Sequence, residues 1–386
     1  MKQIIPYGKQ HITEHDEAAV IKALHQDFLT QGPMVNEFEN NFATFTGSKY
    51  AAAVSNGTAA LHLCAMALGV NENSNVITSP ITFSASANCI RYCGGTVHFV
   101  DIDKNSATLD PQKVEDYIKK NPSIKFSGII PVDFAGYAIN LEEFRVIADK
   151  YNLWIIEDAC HAPGAFFKNS EDIESQAGNG KYADMSIFSF HPVKHIACGE
   201  GGMITTSNLD LKKKVDRLRT HGITKNPSDL NENHGGWYME MQELGYNYRI
   251  PDLLCALGNS QLKTIDTNLK NRRNIAKIYN EAFSDLGIVL PSNDLIQSHA
   301  FHLYVIQTET RKALYDYLRE EGIFAQVHYI PVHLMPYYKK LGWDNGQLPI
   351  AESYYQKCLS LPMYHSLSED EQNYVINKVK NFYNER

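Results

Sequence analysis

The sequence lacks the patterns that mark several large classes of protein. No apolar run approaches the length that crosses a membrane, and residues 1–6 have no apolar segment of the kind found in signal peptides. The seven cysteines form no Cys-x-x-Cys pair, and the fifteen histidines form no His-Glu-x-x-His pattern. The formal net charge is -8, with no stripe of basic residues. We therefore expect a cytoplasmic protein with reduced cysteines and with no metal site, membrane contact or nucleic-acid partner.

What the chain does contain is a regular alternation of two patterns from residue 50 onward. Short apolar runs typical of buried strands alternate with stretches of helical periodicity. Such alternation predicts an α/β fold with a mostly parallel sheet covered by helices on both faces. The predicted strands are residues 50–54, 75–79, 96–100, 126–132 and 153–157, and the predicted helices between them are residues 58–68, 84–92, 111–120 and 141–151.

The segments before and after this alternating region have different sequence patterns. Two helices are predicted before it, at residues 14–28 and 34–45, and a polar loop is predicted at 168–181. A long helical region at 253–286 leads into strand, helix and strand patterns and two closing helices. At 386 residues the chain is long enough for two cores. We therefore predict a large domain of residues 1–260 and a smaller C-terminal α+β domain of residues 261–386.

A single lysine, Lys194, lies in a short polar loop between two apolar runs, residues 185–190 and 203–206. A lone loop lysine is usually a solvated surface charge. Two hydrophobic strands would instead hold this lysine at the edge of a core, where desolvation lowers the pKa of the amine and lets it attack carbonyls. Such a lysine suits a Schiff base with pyridoxal 5'-phosphate (PLP), although the loop alone does not require one.

Three other residues match what PLP would need beside the lysine. Asp158 ends an apolar run, where a buried strand would present its carboxylate to the pyridine nitrogen. His161 follows three residues later and would lie against the ring or its 3-oxygen. Phe83 is the candidate for stacking on the ring. The alternatives are a helix cap for Asp158 and core packing for Phe83.

A phosphate site is indicated at residues 55–61 (Ser-Asn-Gly-Thr-Ala-Ala-Leu), between a predicted strand and a predicted helix. Free backbone N–H groups at a helix start bind anions, and Gly57 permits a close approach. Thr58 belongs to the same turn, and Ser189, five residues before Lys194, is a second candidate ligand. A helix cap without any ligand would give the same pattern.

Five motifs together resemble the DegT/DnrJ/EryC1/StrS sugar aminotransferases, which are PLP enzymes of fold type I, the aspartate aminotransferase-like fold. The resemblance runs nearly end to end and implies the PLP cofactor and the α/β fold already predicted. The motifs are residues 30–33 (Thr-Gln-Gly-Pro), 55–61, 157–162 (Glu-Asp-Ala-Cys-His-Ala), 189–202 and 245–249 (Gly-Tyr-Asn-Tyr-Arg).

The same resemblance implies roles for individual residues. Lys194 would form the Schiff base, Asp158 would pair with the ring nitrogen, and His161 would lie beside the ring. A homodimer with shared active sites is also implied. The residues that would hold the phosphate are Gly57, Thr58 and Ser189, with Asn247 reaching it from the other subunit.

The implied reaction moves an amino group from glutamate to C4 of a nucleotide-linked 4-keto-6-deoxy sugar. Residues 80–88, 132–136 and 325–332 most resemble the family members of the pseudaminic acid pathway, which indicates a UDP-linked 4-keto-6-deoxy-N-acetylhexosamine. Arg249 would clamp the donor carboxylate or the diphosphate, and an interface ion pair is an equal alternative. Further candidate substrate contacts are Tyr7, Thr30, His328 and Tyr329. For each of them, packing or capping of a loop is an alternative role.

Three other functions remain open at this point. The first is an aminotransferase for another UDP- or dTDP-ketosugar, with amination at C3 or C4. The second is a PLP-dependent sugar dehydratase, in which histidine replaces the Schiff-base lysine, but Lys194 rather than His195 takes the matching position. The third is a non-catalytic regulatory homologue, although such a protein has no need of the Asp158–Lys194 pair.

Overall fold

Residues 4–384 of the chain are described by a computed structural model. The strands are β1 (Ile5–Pro6), β2 (Tyr50–Val54), β3 (Asn75–Thr78), β4 (Thr96–Phe99), β5 (Phe126–Ile130), β6 (Trp154–Asp158), β7 (Phe166–Lys168), β8 (Glu174–Gln176), β9 (Met185–Ser189), β10 (Gly202–Thr206), β11 (Ile223–Thr224), β12 (Glu240–Met241), β13 (Tyr304–Gln307), β14 (Ile323–Phe324) and β15 (Cys358–Leu361). The helices are α1 (Glu14–Leu24), α2 (Pro33–Thr46), α3 (Gly57–Ala67), α4 (Ala85–Tyr92), α5 (Pro111–Lys120), α6 (Leu141–Tyr151), α7 (Leu209–Leu218), α8 (Asp252–Leu262), α9 (Ile265–Phe283), α10 (Arg311–Glu320), α11 (Pro336–Lys339), α12 (Pro349–Lys357) and α13 (Glu369–Asn384).

The central sheet has seven strands in the order β2-β10-β9-β6-β5-β3-β4. Neighbouring strands are parallel except at β10, which runs antiparallel to both β2 and β9. The predicted α/β fold with a mostly parallel sheet is therefore confirmed. Because β9 and β10 are antiparallel neighbours, the segment between them returns directly to the sheet, and this segment carries Lys194.

Both faces of the sheet are buried, because successive residues of one strand enter different apolar clusters. In β2, Ala51 and Ala53 belong to one cluster, and Ala52 and Val54 belong to the other. Side chains of successive strand residues point to opposite faces, so each cluster covers one face. A third cluster, with Tyr279 among its members, gathers residues of the C-terminal part around β13 and β15 together with residues of β1.

Two local predictions were wrong. The polar segment 168–181, expected to be a loop, contains part of the β7–β8 hairpin. Its turn is fixed by the side-chain oxygen of Asn169, which accepts hydrogen bonds from the N–H groups of Glu171 and Ile173. The helical region predicted at 253–286 is two helices, because α8 ends at Leu262 and α9 begins at Ile265.

The division into domains of residues 1–260 and 261–386 stays a prediction, and residues 1–3 and 385–386 of those domains lie outside the described residues. The strand β1 pairs with β14, so the start of the chain lies against its C-terminal part. Within residues 4–384, no helix combines the length and the apolar character needed to cross a membrane.

Candidate active site

A cavity of about 710 Å³ lies at the carboxyl ends of β6 and β9, where open α/β sheets bind ligands. Its wall combines titratable side chains, a helix start and aromatic rings. Residues from distant parts of the sequence therefore meet in one place. The predicted site residues that line it are Tyr7, Gly57, Thr58, Phe83, Asp158, His161, Ser189, Lys194, His328 and Tyr329.

Lys194 projects into this cavity from the loop between β9 and β10. The loop is closed at its base by hydrogen bonds from the Phe190 N–H to the Gly201 carbonyl, at 2.8 Å, and from the Cys198 N–H to the Phe190 carbonyl, at 2.9 Å. The amine of Lys194 is half-buried, and its Nζ lies 3.4 Å from Nε2 of His302. Desolvation by burial lowers the pKa of the Lys194 amine. A larger share of this amine is thus neutral, and only the neutral form is a nucleophile.

Asp158 is the last residue of β6 and is only 5% exposed. Its Oδ2 accepts a hydrogen bond of 2.6 Å from the Ser86 hydroxyl, and its Oδ1 accepts one of 3.2 Å from the Cys160 N–H. The next element along the chain is the strand β7, so Asp158 caps no helix. The carboxylate is held in position by donors on both oxygens.

His161 is held between a backbone group and a tyrosine. The Ala135 N–H donates to Nδ1 of His161 at 3.2 Å, and Nε2 lies 3.3 Å from the hydroxyl oxygen of Tyr329. Because Nδ1 accepts, the proton of the neutral ring is on Nε2, which donates to Tyr329. Burial, followed by the charge of Lys194, lowers the pKa of His161 well below its ordinary value. The ring is therefore neutral at physiological pH.

The start of α3 forms a second wall of the cavity. The Asn56 side chain caps the helix by accepting from the Ala59 N–H at 2.8 Å. The N–H groups of Gly57 and Thr58, at the first turn, have no acceptor within the helix and are available to an anion. A Cβ atom on Gly57 would lie 3.0 Å from Cβ of Ser189, so glycine allows the helix start and the end of β9 to approach each other.

Three predicted residues do not line this cavity within one chain. Thr30 forms a β-bridge with Pro251, and Asn247 is exposed and bridges to Thr220. Arg249 lines a separate cavity of about 200 Å³ beside residues 31–32. Their roles in binding cofactor or substrate stay predictions.

Two residues that the sequence did not single out contact the predicted ones. Ser86 donates to Asp158 across 72 positions of sequence, and His302 contacts Lys194 across 108 positions. His302 is buried, and its Nδ1 has no hydrogen-bond partner among residues 4–384. The only sequence signals were the hydroxyl-rich residues 82–86 and a histidine at the start of a predicted strand, which many proteins share.

The residues of the cavity fit PLP. They provide an amine of lowered pKa, a buried carboxylate, and a helix start with free N–H groups where glycine keeps the space open. In the part of the chain that the structure describes, no three His, Cys, Asp or Glu residues are grouped to hold a metal ion.

Known proteins that are similar to this chain include aminotransferases that act on sugars. A transaminase of Campylobacter jejuni, named for UDP-4-amino-4,6-dideoxy-N-acetyl-β-L-altrosamine, is 38% identical and covers 96% of each chain. The spore coat polysaccharide biosynthesis protein SpsC of Bacillus subtilis is 38% identical and covers 97% of this chain and 96% of its own. The solved structure of Helicobacter pylori PseC, an aminotransferase of pseudaminic acid biosynthesis, superposes with a TM-score of 0.89 at 28% identity and covers 100% of both chains.

The family model that matches describes the DegT/DnrJ/EryC1/StrS aminotransferase family and spans residues 10–380. A solved relative contains the cofactor as pyridoxamine phosphate, its aminated form. The match extends over nearly the whole chain, including every residue of the cavity except Tyr7. The chain therefore belongs to the DegT/DnrJ/EryC1/StrS family of PLP-dependent sugar aminotransferases.

Proposed function

We propose that this enzyme transfers the amino group of glutamate to C4 of a UDP-linked 4-keto-6-deoxy-N-acetylhexosamine, for pseudaminic acid or a related surface glycan. The observation that carries the proposal is the meeting of Lys194 and Asp158 in one cavity. The choice of sugar is supported by the names of the Campylobacter and Helicobacter relatives. A cytoplasmic location is part of the proposal.

Lys194 and Asp158 have complementary roles in this reaction. Bound PLP supplies a carbonyl that condenses with amines and a protonated ring that withdraws electrons from the substrate carbon. Lys194 would hold the cofactor through its amine, and the free amine would take the proton from the substrate carbon and return it. The lowered pKa of Lys194 favours the neutral amine that this proton transfer needs. Asp158 retains the proton on the ring nitrogen, because a negative carboxylate stabilises a positive neighbour.

The remaining cofactor contacts follow from the shape of the cavity. The N–H groups of Gly57 and Thr58 and the hydroxyl of Ser189 would bind the phosphate at the start of α3. His161, neutral and fixed by Ala135 and Tyr329, would lie beside the ring without adding charge. Phe83, which lines the cavity and is 61% exposed, would stack on the ring.

The three predicted substrate contacts that line the cavity, Tyr7, His328 and Tyr329, are polar side chains. The ring of Tyr7 lies 5.2 Å from that of His328, and Nδ1 of His328 lies 2.8 Å from the Ser360 hydroxyl. Burial lowers the pKa of His328 to about 4, so this ring is uncharged near pH 7. Tyr7, His328 and Tyr329 thus offer hydrogen bonds without charge, which suits the hydroxyl and acetamido groups of a sugar.

The dehydratase alternative is disfavoured by the position of His195. Its Nε2 lies 2.9 Å from the carbonyl oxygen of Ala300, and the residue is buried away from the cavity that Lys194 lines. Histidine at position 195 therefore does not substitute for the Schiff-base lysine. Other UDP- or dTDP-ketosugars, aminated at C3 or C4, are the alternatives that the substrate experiment separates.

The proposed substrate is tested with a panel of UDP- and dTDP-ketosugars incubated with enzyme, PLP and glutamate. We expect the UDP-linked 4-keto-6-deoxy-N-acetylhexosamine to give a 4-amino sugar and an equal amount of 2-oxoglutarate. Its kcat/KM should exceed that of dTDP-linked ketosugars at least about tenfold, which corresponds to one or two lost polar contacts. UDP-N-acetylglucosamine, which has no keto group, is the control. Preference for a dTDP or 3-keto sugar would refute this substrate, and no reaction with any ketosugar would refute the transaminase itself.

We also propose that the working unit is a homodimer with shared active sites. Exposed aromatic and aliphatic side chains lie near the mouth of the cavity and on the segment that carries Asn247; they are Phe83, Tyr92, Trp237, Met241 and Leu244. Several exposed apolar side chains on these segments support an interface. In a C2 dimer the same patch meets its own copy, so a residue near the axis can serve the neighbouring site.

Subunit mixing tests the shared site. Lys194→Ala and Asn247→Asp chains should each be poorly active, the second because its new carboxylate repels the cofactor phosphate. Random exchange at equal amounts makes about half the dimers mixed, and one of the two sites in each mixed dimer is intact. Activity should therefore rise to about a quarter of the wild-type value. No rise after exchange has been demonstrated with differently tagged chains would mean that Asn247 acts within its own chain.

A further inference from the structure

Two more carboxyl groups are buried behind Asp158, on the opposite face of the sheet. Glu157 precedes Asp158 in β6, so its side chain points away from the cavity. Asp133 follows β5, the neighbouring strand, and its carboxyl group lies beside that of Glu157. Asp133 is 0% exposed and Glu157 is 2% exposed. The cofactor chemistry described above uses neither residue.

The groups that donate to this pair are all neutral. The Ile139 N–H donates to Oδ1 of Asp133 at 3.0 Å, and the Gly178 N–H donates to Oε2 of Glu157 at 2.9 Å. The Ser186 side chain also contacts Glu157. Oδ2 of Asp133 is buried and has no donor among residues 4–384.

The titratable groups that face the pair give it no positive charge. They are Asp158, which acts on both carboxyl groups, and Tyr137 and Cys160, which face Asp133. Two ionised carboxylates in contact, away from water and without a cation, would repel each other strongly. A proton between them removes one charge and gives Oδ2 of Asp133 its missing hydrogen bond.

We propose that Asp133 and Glu157 share one proton, so that the pair carries a single negative charge, and that this charge makes them positioning residues for Asp158. The second part rests on the proposed function, whereas the first does not. The pair is connected to the site through the backbone: the Asp133 N–H donates to the Asp158 carbonyl at 3.0 Å. Its remaining negative charge adds to that of Asp158 in retaining the proton on the ring nitrogen.

The shared proton makes stability depend on pH in a definite direction. Burial and the neighbouring charge raise the pKa values of Asp133 and Glu157 in the folded state. Above the pKa of the unfolded carboxyl groups, at about 4, the folded chain therefore retains a proton that the unfolded chain has lost. Stability decreases as the pH rises from there through the folded-state pKa. Asparagine at position 133 or glutamine at position 157 supplies an N–H in place of the proton and abolishes this dependence.

The proton is tested by urea unfolding of the full-length holoenzyme between pH 5 and 9, with wild type compared with Asp133→Asn and Glu157→Gln. We divide the unfolding equilibrium constant of wild type by that of either variant. As the pH rises towards the folded-state pKa, this ratio should increase about tenfold per pH unit. In infrared spectra at pH 7, wild type should show the carbonyl stretch of a protonated carboxyl group, and both variants should lack it. Parallel pH curves, or the absence of that band, would overturn the shared proton. If one variant fails to fold, the other and the wild-type spectrum decide.

The charge is tested by the double variant Asp133→Asn with Glu157→Gln. Each single variant keeps one carboxylate, as the protonated pair does, whereas the double variant keeps the hydrogen bond and loses the charge. We expect the double variant to have a kcat at least about tenfold below that of either single variant, because loss of the charge would lower the pKa of the ring nitrogen by roughly one unit. The KM for glutamate should be unchanged. Equal kcat values in the three variants would overturn the positioning role. The result is independent of which sugar is the substrate, because the glutamate half-reaction is sufficient to measure it.

Discussion

Lys194→Ala is expected to abolish amino transfer while the fold and cofactor binding remain. Among the described residues that line the cavity, Lys194 has the only amine. Loss of that amine removes both the covalent attachment and the base that moves the proton, and the base alone contributes about 10²- to 10⁴-fold. The start of α3 and Asp158 should still bind PLP non-covalently. The measurement is conversion of glutamate to 2-oxoglutarate, with bound PLP quantified after gel filtration.

Two further variants make this result specific. Lys194→Arg keeps a positive charge but cannot form the Schiff base, so it should be as inactive as the alanine variant. Lys49→Ala removes an exposed lysine that is distant from Lys194 in the sequence, and it should leave turnover unchanged. Near-normal transamination by Lys194→Ala would show that the wrong lysine has been assigned.

Asp158→Asn should lower turnover by about 10³- to 10⁴-fold, by analogy with other buried orienting carboxylates that are changed to amides. The substitution keeps the shape of the side chain and removes its charge. The ring nitrogen then loses the carboxylate that retains its proton, so electrons are withdrawn less strongly from the substrate carbon. The measurement is single-turnover kinetics of the glutamate half-reaction at saturating PLP.

Ser86→Ala is the matched control for this charge. It removes the 2.6 Å hydrogen bond to Oδ2 but leaves the carboxyl group of Asp158 in place. A hydrogen bond to a charged group contributes about 1.5–3 kcal/mol, so the Ser86 variant should lose about ten- to a hundredfold in turnover. If Asp158→Asn lost less than tenfold, or no more than Ser86→Ala, the charge of Asp158 would not be what the reaction uses.

The parts of the fold that could be predicted are those whose signal is local. The strand at residues 50–54 and the helices at 111–120 and 141–151 have the predicted bounds, because apolar runs, proline and asparagine caps lie within the segments themselves. The β7–β8 hairpin was missed because each strand has only three residues and the second strand is polar throughout. Its turn depends on one side chain, that of Asn169.

The site shows the same division between local and distant signals. Lys194, Asp158 and the start of α3 stand beside recognisable strand ends, and the cavity brings them together. Ser86 and His302 gain their roles only from partners 72 and 108 positions away, and no short pattern encodes such a contact. Arg249 lies outside the cavity, near the bridge between Thr30 and Pro251, which is also a contact between distant segments.

The pairing of β1 with β14 has a consequence for the order in which the protein is made. Ile5 pairs with Ile323, and the carbonyl of Tyr7, which lines the cavity, accepts from the Met363 N–H at 2.9 Å. A ribosome releases the N-terminus first, so β1 has no partner until most of the chain has emerged. All strands of the seven-stranded sheet have emerged by residue 206, although the apolar cluster on one face of the sheet is completed by residues 332–358. The nascent chain therefore carries Lys194 and Asp158 before the partners that hold its Tyr7 wall have been made.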